Sequence, residues 1–327
     1  SGPLIIGLCC TMDKVILDAI LIAGPTASGK SRLAIELAQA LNGVIINADS
    51  MQVYEELRVL TARPDAREEA AAPHRLYGIT SADKAFSVGQ WLELALAEAA
   101  AARSAGQVPI FVGGTGLYFQ ALTEGMAEIP PIPEDIRQNA RTKLNELGPL
   151  GLHSALETLD PVMAERLKPT DSQRLVRAYE VITGTGVSLA TWQQQPSTTP
   201  TLPQPWHGFV LNWPRDVLYQ RCDERLVSML AQGALAEVEG LAAMNLAPAL
   251  PAMKALGVPD LIRLIQGEKS RDVALAAAQQ ATRRYAKRQM TWFRNKMCSW
   301  TSLNAQDSER LSKIIIPFIT QNQLTGP

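Results

Sequence analysis

The chain has 327 residues, is 46% hydrophobic and 19% charged, and carries a formal net charge of -1. This is the composition of an ordinary globular protein, long enough for one large domain with an insertion or for two domains. Near-neutral charge excludes a uniformly basic nucleic-acid binder, so any polyanion contact must be a local patch. The four cysteines, Cys9, Cys10, Cys222 and Cys298, show neither disulfide nor metal spacing, which points to a reducing, cytoplasmic setting.

The opening "SGPLIIGLCCTM" is apolar but too short to span a bilayer, and no basic residue precedes it, so it is a poor signal peptide. Met12 reads as the natural start, and residues 1–12 are set aside. No later segment approaches the roughly 18 uninterrupted apolar residues of a membrane helix, so no membrane association is expected.

Ala19–Ala23, "AILIA", is a buried-strand pattern. It runs into "GPTASGKS" (Gly24, Pro25, Thr26, Ala27, Ser28, Gly29, Lys30, Ser31) and then into the helical "SRLAIELAQAL". Strand, Gly-rich turn, helix is the context a G-x-x-x-x-G-K-[ST] phosphate loop requires. Backbone N–H groups and the helix N-terminus face an anion there, Lys30 adds a cation, and the Ser31 hydroxyl suits Mg²⁺. The motif specifies a diphosphate or triphosphate head group and does not name the nucleotide.

"GVIINADS" gives a second strand with Asp49 and Ser50 beyond its end. "VGQWLELALAEAAAARSAG" is a helix ending at Gly106, and "VPIFVGGTG" is a third strand with its own Gly-rich tip. Strands alternating with helices predict a parallel sheet covered on both faces, here a P-loop NTPase-like α/β core. Ligands bind beyond the carboxyl ends of such strands. The tips Gly24–Ser31, Asp49–Gln52 and Gly113–Thr115 should therefore converge on one crevice. A Walker-type ATPase would end its "VPIFV" strand in a carboxylate, whereas this strand ends in Gly113, Gly114 and Thr115. Asp49 is the acidic candidate, either for Mg²⁺ or as a base toward a nucleophile. An ordinary loop aspartate is the plain alternative.

Beyond about Gly125 strand patterns stop. Residues 126–200 read as an all-helical insertion, closed by the Pro-rich "QQQPSTTPTLPQP", and "HGFVLNW" resumes the core. The predicted boundaries are 13–125 with 201–327 for the core and 126–200 for the insertion. Arg215 follows a strand and opens a helix, so it is placed at the crevice; Arg221 and Arg225 follow at helical spacing, with pairing to Asp223 or Glu224 as the alternative. From Arg283 to Lys296 six basic residues and no acidic one are interleaved with Tyr285, Trp292 and Phe293. Arg284, Lys287 and Arg288 share a helical face. They fit either a polyanionic partner or a solvated face whose aromatics pack inward.

Together, "GPTASGKS", "NADSMQVY", "APHRLYG", "VPIFVGGTGLYFQAL", "DSQRLVRAYEV" and "RRYAKRQMTWFR", in that order from about Ala19 to Trp300, resemble the tRNA dimethylallyltransferases, the bacterial tRNA isopentenyltransferases. The resemblance implies transfer of the dimethylallyl group of dimethylallyl diphosphate to N6 of the adenosine 3′-adjacent to the anticodon, with Mg²⁺ as cofactor and diphosphate released. It implies that Thr26, Ser28, Gly29, Lys30 and Ser31 hold the diphosphate, and that Asp49 accepts from the adenine amine. It implies tRNA contacts from Asp49, Ser50, Met51, Gln52, Thr115 and Arg137, and from Gln173, Arg174, Leu175, Val176 and Arg177. Arg215 matches a diphosphate contact, and a monomer is expected. One stretch departs: where relatives often carry Tyr and a basic residue after the Gly of "PAMKALGVPDL", this chain has Val258 and Pro259, with Lys254 the remaining cation. The competing readings are an adenylate isopentenyltransferase using free nucleotide, a P-loop small-molecule kinase, and a non-catalytic RNA-binding module.

Overall fold

The computed structural model describes residues 19–195, 197–307 and 310–324. The segment 1–12, with Cys9, Cys10 and Met12, lies outside the described residues. The chain divides into two compact units: the described residues up to Leu122 together with those from Leu202, and residues 123–201.

The first unit is α/β. In chain order it contains β1 (Ala19–Ala23), α1 (Lys30–Leu41), β2 (Gly43–Asn47), α2 (Ala66–Ala71), β3 (His74–Arg75), α3 (Val88–Ser104), β4 (Val108–Gly113) and α4 (Gly116–Glu124). After the four helices of the second unit come β5 (Trp206–Asn212), α9 (Arg215–Ala231), α10 (Ala234–Ala243), α11 (Val258–Ile265), α12 (Arg271–Lys296), β6 (Thr301–Asn304) and α13 (Leu311–Leu324). The six strands form one parallel sheet in the order β3-β2-β4-β1-β5-β6. Central strands of a parallel sheet are covered on both faces, so their sequences are continuous apolar runs rather than alternating ones. "AILIA" is buried at all five positions and pairs with β4 and β5 on its two sides. Each buried Ile or Leu there contributes about 1.5–3 kcal/mol relative to exposure.

The edge strands β3 and β6 were not separable in the sequence. His74–Arg75 is too short to show a period, and "TSLN" in β6 buries only Leu303. Helix α1 covers the sheet with Leu33, Ala34, Leu37 and Ala38. Helix α3 starts at a capping box between Ser87 and Gln90, which satisfies two otherwise unpaired first-turn donors.

The second unit is helical: α5 (Glu134–Leu159), α6 (Pro161–Arg166), α7 (Ser172–Thr185) and α8 (Leu189–Gln194). It has its own core, including Ala140, Leu152, Leu156, Leu175, Ala178 and Val181. Helix α5 breaks at Gly148, whose φ of 67° lies in the left-handed region, just ahead of Pro149. Among the described residues no single helix is long and apolar enough to cross a membrane; α9 and α10 meet the length and composition only as a pair bent by 69°.

Candidate active site

The carboxyl ends of β1, β2 and β4 meet at a cavity of about 610 Å³ within the first unit. That is within the size range of small-molecule sites. Three observations define its floor. The phosphate loop supplies Thr26 through Ser31, the β2 tip supplies Asp49 and Gln52, and the β4 end supplies Val112 and Gly113.

The loop takes its shape from two left-handed residues, Ala27 (φ 62°) and Gly29 (φ 89°). Glycine adopts this conformation freely, but an alanine there is held at a cost of about 1–3 kcal/mol. The surrounding side chains hold it. Arg221 Nε donates to the Ala27 carbonyl at 2.9 Å, and Trp213 Nε1 donates to the Ser28 carbonyl at 3.0 Å. The Arg221 guanidinium also lies 4.5 Å from the Trp213 ring centroid, a cation–π contact. Ser28 is fully buried, and its Oγ has no partner among the described residues. Helix α1 opens at Gly29, so its unpaired first-turn N–H groups and the positive end of its dipole face the cavity.

Lys30 Nζ donates to the Pro25 carbonyl at 2.7 Å. Burial pushes its pKa down to about 8; the Asp49 carboxylate opposes that shift, and Arg225 adds to it. Arg225 is also drawn down by burial, yet an arginine stays charged at any physiological pH. A bound anion would relieve the repulsion among these cations, which is the electrostatic signature of an anion site.

The acceptor side is equally organised. Asn47 is buried; its side chain accepts from Asp49 N at 2.8 Å and donates to the Asp49 and Leu76 carbonyls. Asp49 Oδ1 accepts from Met51 N at 2.9 Å, an Asx turn that fixes the carboxylate. Ser50 N donates to Thr115 Oγ1 at 2.9 Å, and Thr115 N donates to the Ala48 carbonyl, so the β2 and β4 tips are bound to each other. This approach requires glycine: a Cβ on Gly113 would lie 1.9 Å from the Ala48 carbonyl oxygen. Burial and the Asp49 charge raise the phenol pKa values of Tyr77, Tyr118 and Tyr285, so these remain neutral hydroxyls beside the carboxylate.

The three expected tips therefore converge, but several individual residues stand elsewhere. Arg215 does not line the cavity. Its side chain is 64% exposed, and its guanidinium lies 3.8 Å from Asp216. The arginines that do line it are Arg221 and Arg225, together with Arg58 and Arg63 from the loop after β2. Asp223, offered as an intrahelical partner for them, instead pairs with Arg283 of α12 at 2.6 Å. Gln52 lines the cavity, with its amide donating to the Thr61 and Ala62 carbonyls. Thr26 N is directed at Gln289 Oε1 (2.9 Å), which leaves the loop's anion-facing donors to residues further along.

In the helical unit, Leu175 is fully buried in the core, so its side chain is no RNA contact; Gln173 and Arg174 are exposed. Val176 packs part-buried against that core. Arg174 and Arg177 lie 3.5 Å from Asp171 and 3.4 Å from Glu180, and Arg137 lies 4.0 Å from Glu134. In α12 the aromatics are part of the fold: Phe293 is buried, and Trp292 fills the space over Gly116. Arg284, Lys287 and Arg288 are exposed. The departure after Gly257 is structural too, because Val258 is buried and Pro259 sits in the first turn of α11.

As for a metal, no group of three or more His, Cys, Asp or Glu side chains among the described residues could form a protein cage. Asp65, Glu68 and Glu224 also line the cavity, but the donors at the loop and the β2 tip include the Ser31 hydroxyl and the Asp49 carboxylate. That small set fits Mg²⁺, which usually keeps waters and takes its other ligands from substrate phosphates.

A parallel sheet whose first strand empties into a Lys- and Ser-bearing phosphate loop at a helix N-terminus defines a P-loop NTPase-like α/β protein. The IPP transferase family profile matches residues 52–296, and the chain belongs to that family. A tRNA dimethylallyltransferase of Rhodospirillum rubrum is 50% identical over 306 residues, covering 94% of this chain and 91% of the relative. One of Paramagnetospirillum magneticum is 49% identical, covering 97% and 100%. Among solved structures, the tRNA isopentenylpyrophosphate transferase of Bacillus halodurans superimposes with a TM-score of 0.67 at 30% identity, covering 93% of this chain and 97% of that one. A eukaryotic dimethylallyltransferase acting on tRNA gives a TM-score of 0.77 at 26% identity, covering 93% and 80%.

Proposed function

We propose that this chain transfers the dimethylallyl group of dimethylallyl diphosphate to N6 of the adenosine 3′-adjacent to the anticodon of tRNA. The observation that carries this reading is one cavity lined by a phosphate loop on one side and a turn-fixed carboxylate, Asp49, on the other. The loop N–H groups from Ala27 onward, Lys30, Arg221 and Arg225 bind the diphosphate. Asp49 orients the amine. As the carbon–oxygen bond to diphosphate breaks and the carbon–nitrogen bond forms, the N6 proton passes to Asp49 and diphosphate leaves. Charge then builds on the leaving oxygen, where fixed donors and cations stabilise it more than they stabilise the bound substrate. Mg²⁺ would be held by the Ser31 hydroxyl with phosphate oxygens, and would neutralise part of that charge.

The acceptor base must be splayed out of its stack to enter such a cavity. Gln52 lines the cavity; with Ser50, Met51 and Thr115 beside Asp49 it would meet the acceptor base, and the exposed cations of α12 would supply backbone contacts. Arg137, Gln173, Arg174 and Arg177 of the helical unit supply a second RNA-facing set. The activity belongs in the cytoplasm, carried out by a monomer.

The test offers labelled dimethylallyl diphosphate and Mg²⁺ with tRNA, AMP or ATP as acceptor. Label in tRNA alone is the expected result. Label in AMP or ATP would make the protein an adenylate prenyltransferase, and phosphoryl transfer from ATP would make it a kinase. tRNA binding with no transfer to any acceptor would reduce it to an RNA-binding module.

A further inference from the structure

Gln289 sits on the inner face of α12 and is 6% exposed. Its amide spans the two halves of the cavity floor. Oε1 accepts from Thr26 N of the phosphate loop at 2.9 Å, and Nε2 donates to the Gly114 carbonyl at 2.8 Å. The two partners are a pure donor and a pure acceptor, so the amide orientation is forced. They belong to opposite sides of the reaction: Thr26 opens the loop facing the diphosphate, and Gly114 adjoins the carboxylate. A Cβ on Gly114 would lie 3.3 Å from Asp49 Oδ2 and 2.2 Å from Gln289 Nε2, so the amide and the carboxylate flank the same glycine. Gly114 has no side chain because Gln289 occupies that space. The next residues outward on α12, Lys287 and Arg288, are exposed cations.

We propose that Gln289 is a positioning residue that fixes the distance between the diphosphate loop and the acceptor carboxylate, and so sets the rate of group transfer rather than the affinity for either substrate. The inference rests on the transferase reading above. Only a side chain with one acceptor and one donor on a common sp² carbon satisfies both partners. A carboxylate accepts from Thr26 N but presents a second acceptor to the Gly114 carbonyl. A protonated carboxyl restores the donor and is nearly isosteric with the amide. This makes the role readable as a pH profile. Titratable and charged groups bordering this part of the site are Asp49 at the β2 tip, Lys30 on the loop, Cys222 and Arg225 on α9, Tyr77 after β3, Tyr118 on α4, and Tyr285 one turn earlier on α12. All are common to wild type and variant, so the ratio of the two rates removes their shared titration and leaves what the carboxyl at 289 adds, its coupling to Asp49 included.

The experiment measures single-turnover transfer from labelled dimethylallyl diphosphate to tRNA from pH 5.5 to 8.5, with dissociation constants for both substrates, for wild type, Gln289→Glu and Gln289→Ala. Gln289→Ala is expected to slow transfer by about 10–100-fold, as small misplacements of reacting groups do, with both dissociation constants within about threefold of wild type. Burial at position 289 and the nearby Asp49 carboxylate raise a carboxyl there above the usual carboxylate range, so Gln289→Glu should approach wild type at pH 5.5 and fall toward the Ala variant as pH rises and the carboxyl ionises. A variant-to-wild-type ratio for Gln289→Glu that is flat with pH would overturn the proposal, as would unchanged transfer by Gln289→Ala. If Gln289→Ala does not fold, the Glu ratio decides alone; a Glu variant still unfolded at pH 5.5, where wild type is folded, also overturns it. Absence of transfer by wild type would instead sink the transferase reading.

Discussion

In the cavity most cations are tied to the frame. Lys30 donates to the Pro25 carbonyl, Arg221 donates to the Ala27 carbonyl and stacks on Trp213, Arg58 and Arg63 donate to the Pro64 and Tyr54 carbonyls, and Arg225 is part-buried. On the outer face of α12, Arg284, Lys287 and Arg288 stand in solvent with no carboxylate within ion-pairing distance among the described residues. The α7 arginines form a third arrangement, Arg174 exposed and Arg177 half-exposed, each already beside an acidic residue. On the proposed reading, positive charge serves two purposes. Fixed in a low-dielectric cleft, it acts on one developing charge without reorganising. Free on a surface, it attracts a long polyanion in salt-dependent increments.

The comparison is broken most sharply at Asp49, the fixed negative charge that the cavity cations face. Asp49→Asn should keep the shape of the turn and lower the transfer rate by about 10²–10⁴-fold, the usual range for a general base. Single-turnover rates at saturating tRNA measure it. A Mg²⁺ titration alongside separates proton acceptance from metal binding: a rate restored by excess Mg²⁺ would make Asp49 a metal ligand instead.

Lys30→Ala should lower the rate by roughly 10²–10³-fold, as loss of one preorganised stabiliser does, with tRNA affinity nearly unchanged. Its depressed pKa adds a pH signature. The ammonium is present below about pH 8, where burial has set its pKa. A bound diphosphate favours the protonated form, so affinity is full below that value and weakens as pH rises through it. Isothermal titration with a non-transferable diphosphate analogue should show this decline in wild type and a flat profile in Lys30→Ala.

On the outer face, neutralising Arg284, Lys287 and Arg288 together should reduce the slope of log K against log salt for tRNA by about 0.7–0.9 for each phosphate no longer neutralised, with transfer from bound tRNA retained. An unchanged slope would assign these residues to a solvated face. The smallest effect is expected at α7. Arg174 and Arg177 must leave Asp171 and Glu180 to meet a phosphate, so Arg174→Gln with Arg177→Gln should change the slope less than the α12 triple variant. Arg177→Gln also leaves Glu180, 8% exposed, without its partner. Thermal unfolding should register that loss at on the order of 0.5 kcal/mol, given the half-exposed arginine.

What the sequence revealed followed the range over which its signals act. The phosphate loop and the β2 and β4 tips are local patterns, and a parallel sheet brings such tips together without further information. The position of Arg215 outside the cavity lining is not legible in the sequence, because a strand-to-helix junction does not fix helical phase. At about 100° per residue, Arg221 and Arg225 lie roughly 40° apart around α9, while Arg215 is some 80–120° off their face. Gln289 was invisible for a different reason. Its partners are 263 and 175 residues away, and a buried glutamine inside a basic segment looks like any other polar position. The interleaved aromatics of α12 had two possible destinations, and packing over Gly116 decided between them.

Trp213 links the loop to its cation in one more way. Its indole N–H is bonded to the Ser28 carbonyl and its ring lies beneath Arg221. Of the six tryptophans in the chain, this one couples a phosphate-loop carbonyl to a guanidinium that lines the same cavity. A diphosphate that draws Arg221 toward itself would lift the charge from the ring, and the indole's emission would follow. The anion site therefore carries its own optical reporter, ready for stopped-flow work without any added dye.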